Sequence, residues 1–352
     1  MPRSAGLCAA AALITTAVLA GVQPALAQSK AKAENVPTIP HSSVPNFLNL
    51  PAGLYLGEGM GVARNSQGHI FVYTRSGETR MFEFDPDGNF VREIGQGLYG
   101  FEFAHKVRVD SEDNIWAVDE GTNTVMKFNP QGRVVMVLGA RPPVVEGVVA
   151  TVNQQPPDEK YLFSRPTDVT WDAQGNIFVT DGYFNHRLVK YDRNGIYVGQ
   201  VGSVRAGSGP DELNTPHTVA SDARGNIYVG DRGNARVQVF NNDLRLIATY
   251  DNVGNPWEIC ITPGPHQYLY VSNSNPDSQP AASWAITGEI DKMELDGTIL
   301  GRFGSSGKNL GQFQTIHGMD CSVPDELIVS EISAWRVQKI LVGDKAAMDG
   351  GR

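Results

Sequence analysis

Charged residues, cysteines and long apolar segments are all scarce in this chain. Of its 352 residues, 19% are charged, three are cysteines, and the formal net charge is −9. The low charge content argues against a solvated helical bundle. The acidic excess argues against a phosphate-binding groove, so we expect no nucleic-acid partner. Glycine (38) and proline (21) are plentiful instead, and they indicate a turn-rich, β-rich globular protein.

The one long apolar segment lies at the N-terminus. Arg3 precedes an alanine-rich apolar run at residues 7–19, and Ala-Leu-Ala at residues 25–27 has the small-x-small pattern of a cleavage site. We therefore predict that residues 1–27 are a signal peptide and that the protein is exported, either periplasmic or secreted. A membrane anchor is the alternative. The run is short for a bilayer span and no second one follows, so we expect no membrane span.

A short phrase recurs along the rest of the chain. It consists of an apolar run, an Asp or Asn, a polar turn with Gly-Asn, and an Ile-aromatic-Val run that ends on Asp; the copies, the last two weaker, begin at residues 62, 107, 169, 219, 259 and 319. Further runs with period-two alternation follow each copy, separated by Gly, Asn and Asp turns, as is typical of antiparallel strands. The copies are spaced by about 40 to 60 residues, and repeats of this length with four strands each are typical of propeller blades.

The sequence therefore predicts an all-β fold, a six-bladed β-propeller of four-stranded blades at residues 52–345. Residues 28–51 carry no repeat and are predicted to form an extended arm over one blade, and residues 346–352 a disordered tail. Two insertions, at residues 141–161 and 276–284, are predicted rim loops. A pair of β-sandwiches is the alternative, but it would not explain the repetition. We expect a monomer.

The copies differ at the position just before each innermost strand, and this position is called the ring position below. Along the chain it is occupied by Met60, His105, Thr167, His217, Trp257 and His317. Three of the seven histidines thus recur in alternate blades, which are related by approximate threefold symmetry about the channel. Three imidazoles at a channel mouth fit a catalytic zinc site with an open fourth position. The alternative is that histidine is merely tolerated there. We assign no role to His41, His69, His186 and His266.

The loop after the second strand of each blade shares a rim with these histidines. It carries Arg75 in blade one, Tyr183 in blade three and Arg232 in blade four. Arginine binds carboxylates bidentately, and a tyrosine beside a divalent cation loses its proton more easily. Together with a metal they predict a small anionic substrate with a hydroxyl or carbonyl group to polarise.

Three segments, at residues 104–119, 163–191 and 215–240, resemble peptidyl-α-hydroxyglycine α-amidating lyase within the NHL-repeat propellers. The resemblance implies that His105, His217 and His317 bind zinc, that Tyr183 in its Asp-Gly-Tyr loop is the base, and that Arg232 and Arg75 hold the substrate. It also implies a peptide-derived substrate, split into an amide and glyoxylate. The family has a structural calcium to which an Asp contributes; Gly318 stands at that position, so a calcium ion is doubtful here.

Two other functions remain open. One is a non-catalytic NHL propeller that binds a protein or carbohydrate on one face and needs no metal. The other is a lactonase-type hydrolase, which usually needs calcium, whereas imidazole ligands favour zinc. The two cysteines beyond the predicted signal peptide, Cys260 and Cys321, lie in innermost strands of adjacent blades at oppositely facing positions, so we expect two buried thiols rather than a disulfide.

Overall fold

The computed structural model describes residues 28–29, 36–141, 159–274 and 287–349. The predicted signal peptide, the rim insertion at 276–284 and most of the one at 141–161 lie outside the described residues. In the described part of the chain, no helix has both the length and the apolar character needed to cross a bilayer.

The strands follow the repeat. The arm contributes β1 (Gln28–Ser29) and β2 (His41–Val44). Blade one contains β3 (Glu58–Arg64), β4 (Ile70–Arg75), β5 (Arg80–Phe84) and β6 (Phe90–Ile94). Blade two contains β7 (Ala104–Val109), β8 (Ile115–Asp119), β9 (Thr124–Phe128) and β10 (Val134–Gly139). Blade three contains β11 (Asp168–Trp171), β12 (Ile177–Asp181), β13 (Arg187–Tyr191) and β14 (Tyr197–Gly202).

The second half of the chain repeats the pattern. Blade four contains β15 (Pro216–Ser221), β16 (Ile227–Asp231), β17 (Arg236–Phe240) and β18 (Leu246–Asp251). Blade five contains β19 (Pro256–Ile261), β20 (Tyr268–Asn273), β21 (Glu289–Glu294) and β22 (Ile299–Phe303). Blade six contains β23 (Ile316–Val323), β24 (Glu326–Glu331) and β25 (Arg336–Val342). Each blade is an antiparallel meander, so the prediction of a six-bladed β-propeller is confirmed.

The outermost strand of blade six comes from the other end of the chain. β2 pairs antiparallel with β25, with His41 opposite Val342 and Val44 opposite Lys339. β1 pairs in parallel with β18, at the outer edge of blade four. The segment predicted to be an extended arm therefore also supplies strands, and one of them joins the two ends of the propeller.

The recurring polar residues of the repeat have two structural tasks. The first Asp of the phrase closes the turn between the two inner strands: Asp172 accepts the backbone N–H groups of Gln174 and Asn176. The closing Asp is buried and holds the loop that leads into the innermost strand. Asp181 accepts from the backbone N–H of Ser164, and Asp231 from that of Asn214. The repeat thus fixes the rim on which the candidate site lies.

The end of the propeller differs from the predicted disordered tail. Residues Asp344–Asp349 form a short helix, α1. Ala346 is buried, and the N–H groups of Ala346 and Ala347 bond to the carbonyl of Gly343. The negative charge of Asp344 in the first turn interacts favourably with the positive end of the helix dipole. The described part of the predicted tail, residues 346–349, therefore has helical structure.

The expectation of two free thiols is wrong, because Cys260 and Cys321 form a disulfide with Cα atoms 6.0 Å apart. The expectation took opposite facing to keep the two side chains apart. In a propeller, however, each blade presents one face to the blade before it and the other face to the blade after it, so oppositely facing positions of adjacent blades meet. Cys321 lies with Met319 on the face of blade six that packs against blade five, and Cys260 packs against the same cluster from blade five.

Candidate metal centre and active site

A β-bulge at the ring position sets the orientation of the site residues. In five of the six blades, the pairing between the two inner strands shifts register there. In blade two the shift lies between Ala104 and Lys106, with His105 as the extra residue. A bulge lets two consecutive residues face the same side of a strand. Both the ring residue and its successor can therefore point into the channel.

The structure brings the three predicted histidines together. His105, His217 and His317 are fully buried or nearly so, and their ring centroids are 4.6–4.8 Å apart in all three pairs. One nitrogen from each ring lies within 4.8 Å of the other two. The nearly equal spacings reproduce the threefold relation that the alternation of blades predicts.

The intervening blades orient the imidazoles. The Nδ1–H of His105 donates to the carbonyl of Thr167 at 2.5 Å, that of His217 to Trp257 at 2.7 Å, and that of His317 to Met60 at 2.6 Å. These acceptors are the ring positions of blades three, five and one. Because a carbonyl can only accept, each proton lies on Nδ1 and each Nε2 carries a free lone pair.

This arrangement fits a metal ion. Among the described residues, the Nε2 atom of His317 is buried with no hydrogen-bond partner, a costly state that a ligand would relieve. Burial lowers the pKa of all three imidazoles well below the usual value, and the Lys106 ammonium lowers it further. Arg75 adds to this effect at His105 and His317, and Arg232 at His105 and His217. The rings are therefore neutral at physiological pH, which is the form that binds zinc.

Tyr183 lies beside the three histidines. Its Oη is 3.1 Å from the Nε2 of His105 and 3.2 Å from that of His217. Burial raises the pKa of this phenol and the Glu120 carboxylate raises it further, whereas Arg232 and Arg75 oppose both effects. A phenol has one proton, so it can donate to only one of these two acceptors at a time. The hydroxyl is thus positioned to exchange a proton with a group bound at the histidines.

Gly182 makes the position of Tyr183 possible. A Cβ atom at this residue would lie 2.0 Å from the carbonyl oxygen of Pro216 in the next blade and 2.9 Å from Oγ1 of Thr167. Only glycine allows the loop to pack this closely against blade four. The Asp-Gly-Tyr sequence therefore combines an anchor at Asp181, a close backbone approach and the functional phenol.

Arg232 has the most available guanidinium of the site. It stacks on Trp257, with Cζ 4.3 Å from the ring centroid, and lies 5.4 Å from the Tyr183 ring. Within the described part of the chain it has no carboxylate partner, and its Nη1 is buried without a hydrogen bond. Aromatic stacking fixes the plane of a guanidinium while leaving its N–H groups free. Arg232 can therefore receive an anion.

Arg75 is more occupied. Its Nε contacts Glu58 at 2.7 Å, and its Nη1 contacts Glu120 at 2.9 Å and the Ala104 carbonyl at 3.3 Å. The guanidinium also lies 3.8 Å from the centroid of the Phe103 ring. The structure thus places both predicted arginines at the site, but with different electrostatic surroundings. Arg75 is mostly neutralised by its own carboxylates.

Sequence reasoning missed a third arginine. Nη2 of Arg165 lies 3.1 Å from Oε1 of Glu120, and its Cζ is 5.1 Å from the Tyr183 ring centroid. Arg165 precedes the ring position by two residues and has a left-handed backbone, with φ of 60°. Glu120 is 2% exposed and bridges Arg75 and Arg165. A charged residue just before a ring position was the one available signal.

The remaining histidines lie elsewhere. His41 contacts the carbonyl of Gly311, His69 contacts Glu83, and His266 contacts Glu294. His186 accepts the backbone N–H of Thr215. These contacts hold turns and outer strands, and none of the four belongs to the metal centre.

The amino-acid sequence of the chain is similar to those of known proteins. The NHL repeat family model matches residues 213–240. The probable peptidyl-alpha-hydroxyglycine alpha-amidating lyase of Caenorhabditis elegans is 30% identical over 54% of this chain and 57% of its own length. The mouse peptidyl-glycine alpha-amidating monooxygenase is 29% identical over 64% of this chain and 24% of its own length. Mouse NHL repeat-containing protein 3 is 28% identical, over 78% and 76%. The chain thus spans little more than half of the first relative and a quarter of the second.

Solved structures share the fold. A gluconolactonase from Xanthomonas campestris superposes with a TM-score of 0.55 at 15% identity, covering 91% of this chain and 99% of its own. Virginiamycin B lyase from Staphylococcus aureus superposes with a TM-score of 0.52 at 13% identity, covering 86% and 85%. At these identities the likeness concerns the propeller alone. The chain is thus a six-bladed propeller with one segment that matches the NHL repeat, and its sequence is similar to those of proteins named as peptidyl-α-hydroxyglycine α-amidating lyases.

Proposed function

We propose that this protein is a zinc-dependent carbon–nitrogen lyase that splits an N-acyl-α-hydroxyglycine-like substrate into an amide and glyoxylate. The observation that carries the proposal is the convergence of three neutral imidazoles, a phenol and an available guanidinium on one rim of the channel. His105, His217 and His317 would hold the metal through Nε2. The relatives named as amidating lyases support this reaction class.

Each residue has a distinct task in this reaction. When bound, the metal supplies a charge that polarises a substrate oxygen and favours the phenolate form of a neighbouring tyrosine. Tyr183 accepts the proton of the substrate hydroxyl. Arg232 binds the substrate carboxylate in a bidentate manner, with its plane set by Trp257. The guanidinium thereby fixes the hydroxyl-bearing carbon relative to the phenol.

The chemistry needs no external nucleophile. As the hydroxyl loses its proton, its oxygen forms the carbonyl of glyoxylate and the carbon–nitrogen bond breaks. The electron pair of that bond stays on the nitrogen, which takes up a proton and leaves as the amide. The proton given up by the hydroxyl balances the one taken up by the nitrogen. Tyr183 is the group placed to carry it.

The test combines metal analysis with an activity assay. Purified protein loaded with zinc should retain the metal through gel filtration and release glyoxylate from α-hydroxyhippurate. Tyr183→Phe should keep the zinc but lower kcat by about 10²–10⁴-fold, the usual contribution of acid–base catalysis. Tyr191→Phe is the matched control, since this buried phenol bonds to the Lys160 carbonyl outside the site. If the protein binds no zinc, the result supports the alternative of a non-catalytic NHL propeller. If it opens lactones but releases no glyoxylate, the result supports the alternative of a lactonase-type hydrolase.

We also propose that the protein acts outside the cytoplasm. The Cys260–Cys321 disulfide supports this, because structural disulfides persist in oxidising compartments and are rare in cytosolic proteins. The N-terminal export pattern supports the same conclusion. Mass measurement of the protein purified from culture medium or a periplasmic fraction tests it: a chain that begins at residue 28 is expected, and an uncleaved chain retained in the cytoplasm would contradict it.

A further inference from the structure

A second layer of channel residues lies directly behind the metal centre. It is formed by the residues that follow the ring positions, Gly61, Lys106, Asp168, Thr218, Glu258 and Gly318. Lys106, Asp168 and Glu258 are at most 1% exposed. Buried charges are costly unless they are paired and hydrogen-bonded. Their position next to the histidines therefore calls for a physical reason.

Lys106 crosses the channel. Its Nζ donates to Oε2 of Glu258 at 2.5 Å and to the backbone carbonyl of His317 at 2.5 Å. Lys106 follows the first histidine in blade two, Glu258 follows the ring position of blade five, and His317 is the third histidine in blade six. The ammonium of Lys106 therefore connects blade two, which carries the candidate ligand His105, to the backbone of the candidate ligand His317.

The charges of this layer balance. Arg108 contacts Asp168 at 2.5 Å and Glu258 at 2.6 Å, and Thr218 donates to Asp168 at 2.9 Å. Two cations thus neutralise two carboxylates. Two glycines allow close backbone packing in this layer: a Cβ at Gly61 would lie 2.4 Å from the Val107 nitrogen, and one at Gly318 would lie 2.8 Å from the Gly61 Cα. If Lys106 lost its charge, the layer would hold an uncompensated buried negative charge.

We propose that Lys106 is a positioning residue of the metal centre, a covalently attached cation that fills an oxygen-lined position in the channel and holds His317 in place. The inference rests on the proposed function, because it assigns a role relative to the metal that the histidines would bind. Groups that hold metal ligands in this way typically change metal affinity by about 10- to 100-fold when they are removed. The position that the ammonium occupies offers carboxylate and carbonyl oxygens, which are the ligands of a hard cation such as Ca²⁺.

The test measures zinc affinity and thermal unfolding together. In Lys106→Met, zinc Kd should weaken by about 10- to 100-fold and Tm should fall. Lys190→Met is the matched control: Lys190 is also a buried lysine and bonds to Asn242 at 2.7 and 2.6 Å, but it lies in the outer part of blade three. This control should lose Tm while its zinc Kd stays unchanged. An unchanged zinc Kd in Lys106→Met would overturn the proposal.

Cation rescue separates positioning from general destabilisation. Lys106→Ala leaves the oxygen-lined position without its ammonium, next to a cavity of about 360 Å³ that Arg108 helps to line. Millimolar Ca²⁺ or methylammonium should then restore part of the Tm and part of the zinc affinity, whereas neither should stabilise the wild-type protein. An equal response of the wild type and Lys106→Ala to Ca²⁺ would overturn the proposal.

Two further measurements keep the outcome decisive. If Lys106→Met does not fold, Glu258→Gln removes the partner charge at constant shape, and its zinc Kd should weaken in the same direction; an unchanged value counts against the proposal. A wild-type protein that binds no zinc refutes the proposed lyase, while the Tm of Lys106→Ala with and without Ca²⁺ still tests the cation position. Failure of the inference and failure of the proposed function are thus distinguishable.

Discussion

Replacing Arg232 with glutamine removes the one guanidinium of the site that has no carboxylate partner within the described residues. Its buried Nη1 and its stacking on Trp257 at 4.3 Å indicate a side chain prepared for an incoming anion. A hydrogen bond to a charged group contributes about 1.5–3 kcal/mol. With about 1.4 kcal/mol for each factor of ten, kcat/KM should fall about 10- to 140-fold.

The assay compares two substrates rather than one. α-Hydroxyhippurate carries the carboxylate that Arg232 is expected to bind, and its carboxamide analogue does not. Wild-type enzyme should prefer the carboxylate by about the factor calculated above, and Arg232→Gln should lose this preference. Arg75→Gln should lose less of it, because Glu58 and Glu120 already neutralise Arg75. Arg224→Gln, at a side chain that is 72% exposed, is the control for a general change of charge.

The kcat/KM for the carboxamide substrate decides whether Arg232 recognises the carboxylate. If Arg232→Gln lowers kcat/KM equally for both substrates, the guanidinium does not recognise the carboxylate. The loss would then come from a disturbed Tyr183, which lies 5.4 Å from the same guanidinium. If Arg75→Gln abolishes the preference instead, the assignment of the two arginines is reversed.

Three further predictions follow from the geometry. Because burial lowers the folded-state pKa of His105, His217 and His317, the unfolded chain takes up protons before the folded protein does as the pH falls below about 6.5. The metal-free protein should therefore lose up to about 1.4 kcal/mol of stability per pH unit for each of these histidines, measured by urea unfolding. A variant with all three replaced by glutamine should not show this loss, whereas the control His266→Gln should behave like wild type. Loss of the disulfide, which closes a separation of 61 residues, should destabilise the protein by about 4 kcal/mol; equal midpoints for Cys260→Ser and wild type would show that the bond does not form in solution. Gly182→Ala, whose Cβ would lie 2.0 Å from a carbonyl oxygen, should abolish glyoxylate release while zinc stays bound, and full activity would refute the proposed placement of Tyr183.

Most of the site is readable from the sequence because it lies at one repeated position. The alternation of His105, His217 and His317 with Met60, Thr167 and Trp257 is a property of the register alone. The register predicts six blades and three converging imidazoles. It also indicates the rim, since the loops with Tyr183 and Arg232 follow second strands that return to that end of the channel.

What the sequence does not show depends on bulges and on side-chain pairing. A bulge at the ring position turns two consecutive residues into the channel, so the partnership of Lys106 with Glu258 is invisible to a two-residue alternation. Cys260 and Cys321 lie on opposite faces of adjacent blades, and these two faces pack against each other, which explains the wrong expectation for the thiols. Arg165 reaches the site through a left-handed backbone, and no periodic pattern anticipates that conformation.

The strand that joins the ends of the propeller also determines when the metal centre can exist. β2 pairs with residues 339–342, and His317 is oriented by the carbonyl of Met60, which is 257 positions earlier in the chain. During folding, the third ligand therefore gains its orientation only after blade six has docked onto blade one. A nascent or truncated chain can display two of the histidines but cannot complete their threefold arrangement. Metal binding would then occur only after the propeller has closed, so that a protein with bound metal is also a protein that has completed folding.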